Sequence, residues 1–133
     1  MPDRFDHVTI APADFEASLR FYRDILGWQV IEDRMANGTG RVTHLSSGAM
    51  RIVLIGAKSP VGQAAADAAS GAHAPVLHLD IHDAEARFAR IPAGAHVVSA
   101  PASNHAGQRC FTLRDPDGNL LTFVELRQRT PRA

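Results

Sequence analysis

Three histidines, His7, His44 and His78, stand in strand-like segments, among residues that could bind a polar group. Imidazole is the commonest metal ligand and the one side chain whose ordinary pKa lies near neutrality, so a cluster of three could serve a metal or a proton transfer. Taken singly, each is equally a polar group satisfied by water or by a backbone carbonyl. Alternation places Thr9 beside His7, and Cys110, Thr112, Arg114 and Thr122 on the corresponding side of the later strands. Arg114 offers a rigid donor fork for an anionic or carboxylate group, or for a neighbouring acid such as Asp115. Cys110 reads as a small buried hydrophobe rather than a nucleophile, because no basic residue is assured beside it. His73, His82, His96 and His105 fall at linkers and strand ends and need no role. The chain has no G-x-G-x-x-G after a strand, no Walker sequence and no G-x-S-x-G elbow, which excludes hydride transfer and nucleotide hydrolysis.

The elements that position these residues follow from periodicity. In Phe5-Asp-His-Val-Thr-Ile10, Val8 and Ile10 point one way and His7 and Thr9 the other. Asp14 can cap a helix whose Phe15, Leu19, Tyr22 and Leu26 share one stripe and which Gly27 closes. Strands are expected at 28–33, 41–46 and 50–55, separated by Asn37-Gly-Thr-Gly40 and Ser47-Gly48. An Ala/Gly-rich linker runs from 57 to 75. The order then repeats: a strand over 76–81, a cap at Asp83, a helix ended by Pro92, and strands over 95–99, 108–114 and 119–125. An offset of 69 brings Asp14 onto Asp83 and Thr9 onto His78, one of 68 brings Val42-Thr-His-Leu45 onto Cys110-Phe-Thr-Leu113 and Leu54 onto Thr122, and the helices align at 67. The expected fold is α+β, built of two tandem βαβββ units at about 5–56 and 76–126 within a single domain of residues 1–133, with a short tail over 127–133.

Composition bounds the function. At 133 residues, 45% apolar and 21% charged, the chain has material for one substantial core. Fourteen basic residues balance fourteen acidic ones, so no field favours nucleic acid or an anionic membrane. The single cysteine excludes an intrachain disulfide and fits a reducing compartment; with no signal h-region and no long apolar stretch, the cytoplasm is the expected location.

The opening His7-Val-Thr-Ile, the segment Phe15-Glu-Ala-Ser-Leu-Arg-Phe-Tyr-Arg-Asp-Ile-Leu-Gly-Trp28 and the closing Phe111-Thr-Leu-Arg-Asp-Pro-Asp-Gly-Asn-Leu-Leu121 resemble the vicinal oxygen chelate superfamily of glyoxalase I, bleomycin-resistance proteins and extradiol dioxygenases. The resemblance implies a curved mixed sheet around a cavity with the helices outside, and a homodimer. Alternation and the repeat then put His7, Thr9, His44, Leu54, Val76, His78, Cys110, Thr112, Arg114 and Thr122 on the cavity side as ligand-binding candidates. It also implies metal ligands on the first and last strand of each unit. His7 matches one such position, but Leu54, Val76 and Thr122 occupy the others, so the usual metal site and any cofactor are expected to be absent. Glu125, an odd step beyond Thr122, should point to the helix side or to solvent. The expected function is the binding of a small, partly apolar or aromatic molecule. The alternative is a lyase, isomerase or dioxygenase of the same superfamily, either metal-dependent, with His7, His44 and His78 as the admissible ligand set, or metal-free, with His7 or His78 as general base.

Overall fold

A computed structural model describes residues 3–36, 40–56 and 75–126. The expected linker, apart from its last residue, and the tail at 127–133 lie outside the described residues. The chain divides into two compact units, Met1–Ala74 and Pro75–Ala133. Among the described residues no helix is long and apolar enough to cross a membrane.

In the first unit, β1 (Val8–Ile10) leads to α1 (Phe15–Arg20), which continues as a π-helical turn over Phe21–Ile25. Asp14, in extended conformation, caps α1 by accepting from the Ala17 amide at 3.0 Å. The wider turn closes with the Leu26 amide donating to the Phe21 carbonyl at 2.9 Å, and the adjacent Phe21 and Tyr22 are both buried. Gly27, at φ 76, reverses the chain into β2 (Gln29–Ala36), which is followed by β3 (Gly40–Ser46) and β4 (Arg51–Ile55). The strands lie in the order β1-β4-β3-β2, with β1 and β4 parallel and the other neighbours antiparallel.

The second unit repeats this plan with β5 (Leu77–Ile81), α2 (Ala84–Ala89), β6 (His96–Ser103), β7 (Arg109–Arg114) and β8 (Leu120–Glu125) in the order β5-β8-β7-β6. Asp83 caps α2 through the Ala86 amide at 3.0 Å, as Asp14 caps α1. The helices therefore align at the offset of 69 rather than the expected 67, with Glu16 matching Glu85. An ion pair repeats as well: Arg41 of β3 pairs with Glu16, and Arg109 of β7 with Glu85.

These contacts identify the covered face of each sheet. Arg41 lies over the Phe15 ring of α1 and Arg87 of α2 over the Phe123 ring, while Phe88 meets Phe111 edge-on at 5.2 Å. Ladder partners share a face, so Val8, Ile10, Thr43, Leu45, Ile52 and Leu54 lie under α1, and Leu77, Leu79, Phe111, Leu113, Leu121 and Phe123 under α2.

That register corrects one expected site residue. Leu54 pairs with Ile10 and Thr43, is fully buried, and belongs to the helix side, as does Ile52. The residue that corresponds to Thr122 is Val53: Thr9↔Val53 in the first unit matches His78↔Thr122 in the second. The cause is turn length. The first hairpin closes on Ser46↔Arg51, leaving Ser47 to Met50 in the turn, whereas the second closes on Arg114↔Leu120, leaving Asp115 to Asn119. The repeat offset therefore moves from 68 to 69 between the two strands of the hairpin, and a slip of one residue reverses every side chain.

Candidate functional site

The helix-free face of each sheet carries a row of side chains running straight across the strands. In the first unit the ladders connect Thr9, Val53, His44 and Glu32, one from each strand. In the second they connect His78, Thr122, Thr112 and Ser99. Polar groups in the middle of a sheet are costly unless they are hydrogen-bonded, and the two central threonines of the second row are partners. The Thr112 and Thr122 hydroxyls are 2.9 Å apart, and His44 Nε2 lies 3.8 Å from Glu32 Oε2. Successive strands are spaced about 4.8 Å apart, so the second row offers polar atoms at a regular interval along one line, while Val53 interrupts the first.

His7 joins the first row from just outside β1. Its ring centroid is 6.5 Å from that of His44, and its Nδ1 is 2.5 Å from Asp6 Oδ2. This hydrogen bond, with smaller contributions from the charges of His7, Arg51 and His44, holds the Asp6 carboxyl below its ordinary value. His7 and His44 are thus brought together within the first unit, and His78 belongs to the second.

In the second unit, Cys110, Thr112 and Arg114 alternate along β7 on the helix-free face, with Thr122 opposite Thr112 and Val124 opposite Cys110. Cys110 is half-buried and carries a free thiol. Arg114 Nη1 reaches the Gly118 carbonyl at 3.5 Å. Val76 precedes β5 and is exposed, as is His78.

Glu125 lies on the other side. It pairs with Ile81, and its Oε1 accepts from the Ala84 amide at 2.9 Å, adding a second cap to α2. Asp83, Glu85 and Glu125 bring one carboxylate oxygen each within 4.8 Å of the others, the one such group of three metal-ligand types among the described residues. All three have structural partners: Asp83 and Glu125 cap α2, and Glu85 pairs with Arg109. A cavity of about 400 Å³ beside them is lined by His82, Asp83, Gly107, Gln108, Arg109, Glu125 and Leu126.

Sequence reasoning missed Glu32, Ser99 and Asp6. Glu32 and Ser99 were hidden by bulges: Val30 pairs with Leu45 on the helix side, yet Glu32 pairs with His44 on the free side, and the same reversal separates Val97 from Ser99. Asp6 was visible beside His7, but no periodicity distinguishes a neighbouring carboxylate that folds back from one that does not.

The first- and last-strand positions at which the resemblance implies metal ligands are occupied here by His7, Val53, Val76 and Thr122. Valine has no donor atom and a neutral threonine hydroxyl is a weak one, so His7 is the only strong ligand in this set.

The family model for the Glyoxalase/Bleomycin resistance protein/Dioxygenase superfamily matches residues 4–123, and the chain belongs to that superfamily. No curated protein matches it. Solved structures share the fold: UcmS2, with a TM-score of 0.74 and 22% identity over 95% of this chain and all of the other (100%); TnmS3, an antibiotic binding protein from Streptomyces sp. CB03234, with 0.71 and 23% over 95% of this chain and 100% of that one; and TioX from Micromonospora sp. ML1, with 0.67 and 21% over 96% and 99%.

Proposed function

We propose that this protein binds a small, partly apolar or aromatic molecule on the helix-free faces of its sheets, without the divalent metal that enzymes of the superfamily use. The carrying observation is the donor set: of His7, Val53, Val76 and Thr122 only His7 is a firm ligand, and these residues do not fit a cation that needs three or four. What those faces carry is a mixture of apolar side chains, Val42, Val53 and Val124, and neutral hydrogen-bonding groups, Thr9, Thr112 and Thr122. Such a mixture suits a ligand with an apolar body and a few polar substituents. The description of TnmS3 as an antibiotic binding protein is in keeping with this reading.

On the first unit's face His7 and His44, and on the second unit's face His78 and Arg114, would then orient a ligand. A second reading, in which His7 acts as general base in a metal-free isomerase or lyase, draws on its hydrogen bond to Asp6, an arrangement that leaves the other ring nitrogen free to take a proton.

Calorimetric titration with a panel of aromatic antibiotics, on protein purified without an affinity tag and dialysed against chelator, tests the proposal. At least one compound should bind after chelation, with metal below about a tenth of an equivalent, an order of magnitude set by the strict distances a metal demands. His7→Ala should weaken that binding and leave stability nearly unchanged. Stoichiometric metal that survives dialysis and is lost in His7→Ala would overturn the reading and put a metal enzyme in its place.

A further inference from the structure

We infer that Asp6 is a positioning residue that fixes the tautomer of His7, so that the imidazole presents a lone pair, and not an N–H, to a bound molecule. The ionised carboxylate of Asp6 can only accept, and it lies 2.5 Å from His7 Nδ1. The proton of a neutral His7 is therefore on Nδ1, and Nε2 carries the lone pair. Nε2 has no hydrogen-bond partner among the described residues, and the ring sits beside that of His44, 6.5 Å away between centroids.

The arrangement selects the chemistry of what His7 can meet. A ring locked with Nε2 as acceptor bonds well to a phenol, an alcohol or an amide N–H, and offers nothing to a ketone or ether oxygen. His44 differs, because it is Nε2 that faces a carboxylate, at 3.8 Å from Glu32 Oε2. The two adjacent imidazoles are thus turned to their acids by opposite nitrogens. The ligand group at His7 is a hydrogen-bond donor, an inference that rests on the reading that His7 meets the ligand.

Long-range proton–nitrogen correlation of the imidazoles in the ¹⁵N-labelled protein tests this without any ligand. It is recorded in alkaline solution, on the neutral form of the ring. The His7 signals, identified by their loss in His7→Ala, should show the proton on Nδ1 in the wild type. In Asp6→Ala the ratio of Nδ1–H to Nε2–H should fall roughly five- to tenfold, the factor set by one hydrogen bond of ordinary strength. Asp6→Asn, whose amide oxygen still accepts, should retain most of the wild-type ratio. Asp6 is exposed and precedes β1, so neither variant removes a core contact. A wild-type ring protonated on Nε2, or a ratio unmoved in Asp6→Ala, overturns the inference. A shifted tautomer together with unchanged antibiotic binding by His7→Ala upholds the role of Asp6 and counts against the ligand-binding reading alone.

Discussion

The two units use the same plan but fill the space between helix and sheet from opposite sides. In the first, the helical segment is long, from Phe15 through the π-helical turn to Ile25, and it brings the large groups: Phe21 and Tyr22 meet at 4.9 Å, and Tyr22 and Trp28 at 5.6 Å. The sheet beneath contributes Thr43, Leu45, Ile52 and Leu54. In the second, α2 ends at Ala89 and the sheet brings the bulk, with Phe111 stacked on Phe123 at 4.7 Å and Phe88 against them. Phe111 stands where the first unit has Thr43, and Phe123 where it has Leu54. Interiors must be filled to close packing, so a shorter helix requires larger strand side chains. What the units keep in common is the frame, namely the Asp14 and Asp83 caps and the Arg41–Glu16 and Arg109–Glu85 pairs. What differs is volume on one face of the sheet and chemistry on the other.

The largest test of this contrast is truncation at corresponding positions. Phe111→Ala removes a fully buried ring from a three-ring cluster and should cost about 3–5 kcal/mol of unfolding free energy in urea. Thr43→Ala removes one methyl and a hydroxyl bonded to Asp33, and should cost about 1–2 kcal/mol. Equal losses would show that the two units do not divide the packing between helix and sheet in this way.

The hairpin turns give a contrast of intermediate size. Asp115 is buried and accepts from the amides of Asp117 and Asn119 and from the Asn119 side chain, at 2.8 to 3.0 Å. Ser47, in the corresponding turn of the first unit, accepts from Met50 at 3.0 Å but is exposed. Asp115→Ala should therefore cost about 1–3 kcal/mol, because three half-buried donors lose their acceptor, and Ser47→Ala less than about 0.5 kcal/mol, because water replaces it. Thermal unfolding of the two variants, compared with wild type, checks the order.

Much of this was legible in the chain. Alternation in Val8-Thr-Ile10 and in Cys110-Phe-Thr-Leu-Arg114 gave the faces of β1 and β7, and aspartate before an amphipathic run gave both caps. The illegible parts are those where a single residue changes parity. An extra residue in the Asp115 to Asn119 turn misplaced Leu54, and bulges after Val30 and Val97 concealed Glu32 and Ser99. Contacts between elements were also invisible: Arg41 and Glu16 are 25 positions apart, and neither carries a local sign of the other.

The smallest expected difference concerns acid. Arg41 is held on β2 by Asp33, through Nε at 3.0 Å and Nη2 at 2.8 Å, in addition to its pair with Glu16. Arg109 has the matching Glu85, but its contact on the edge strand is the Pro101 carbonyl, at 3.2 Å. A carbonyl does not titrate and a carboxylate does, so this tie responds to pH only in the first unit. The hydrogen bond from Arg41 holds the Asp33 carboxyl below its ordinary value against the opposing effect of burial, and the bond from Thr43 adds a smaller contribution in the same direction as Arg41. Its contribution to stability is present above the unfolded value of about 3.9 and is lost as pH falls through the lower folded value. Because the Asp33 side chain is 38% exposed, solvent limits that contribution to roughly 0.2–1 kcal/mol. Asp33→Asn should lower stability by that amount at neutral pH and should lose less than the wild type between about pH 4 and pH 2, so that the two curves converge in acid. Parallel curves across that window would mean that Asp33 is no better solvated by Arg41 than by water, and that the edge-strand ties of the two units are equivalent despite their chemistry.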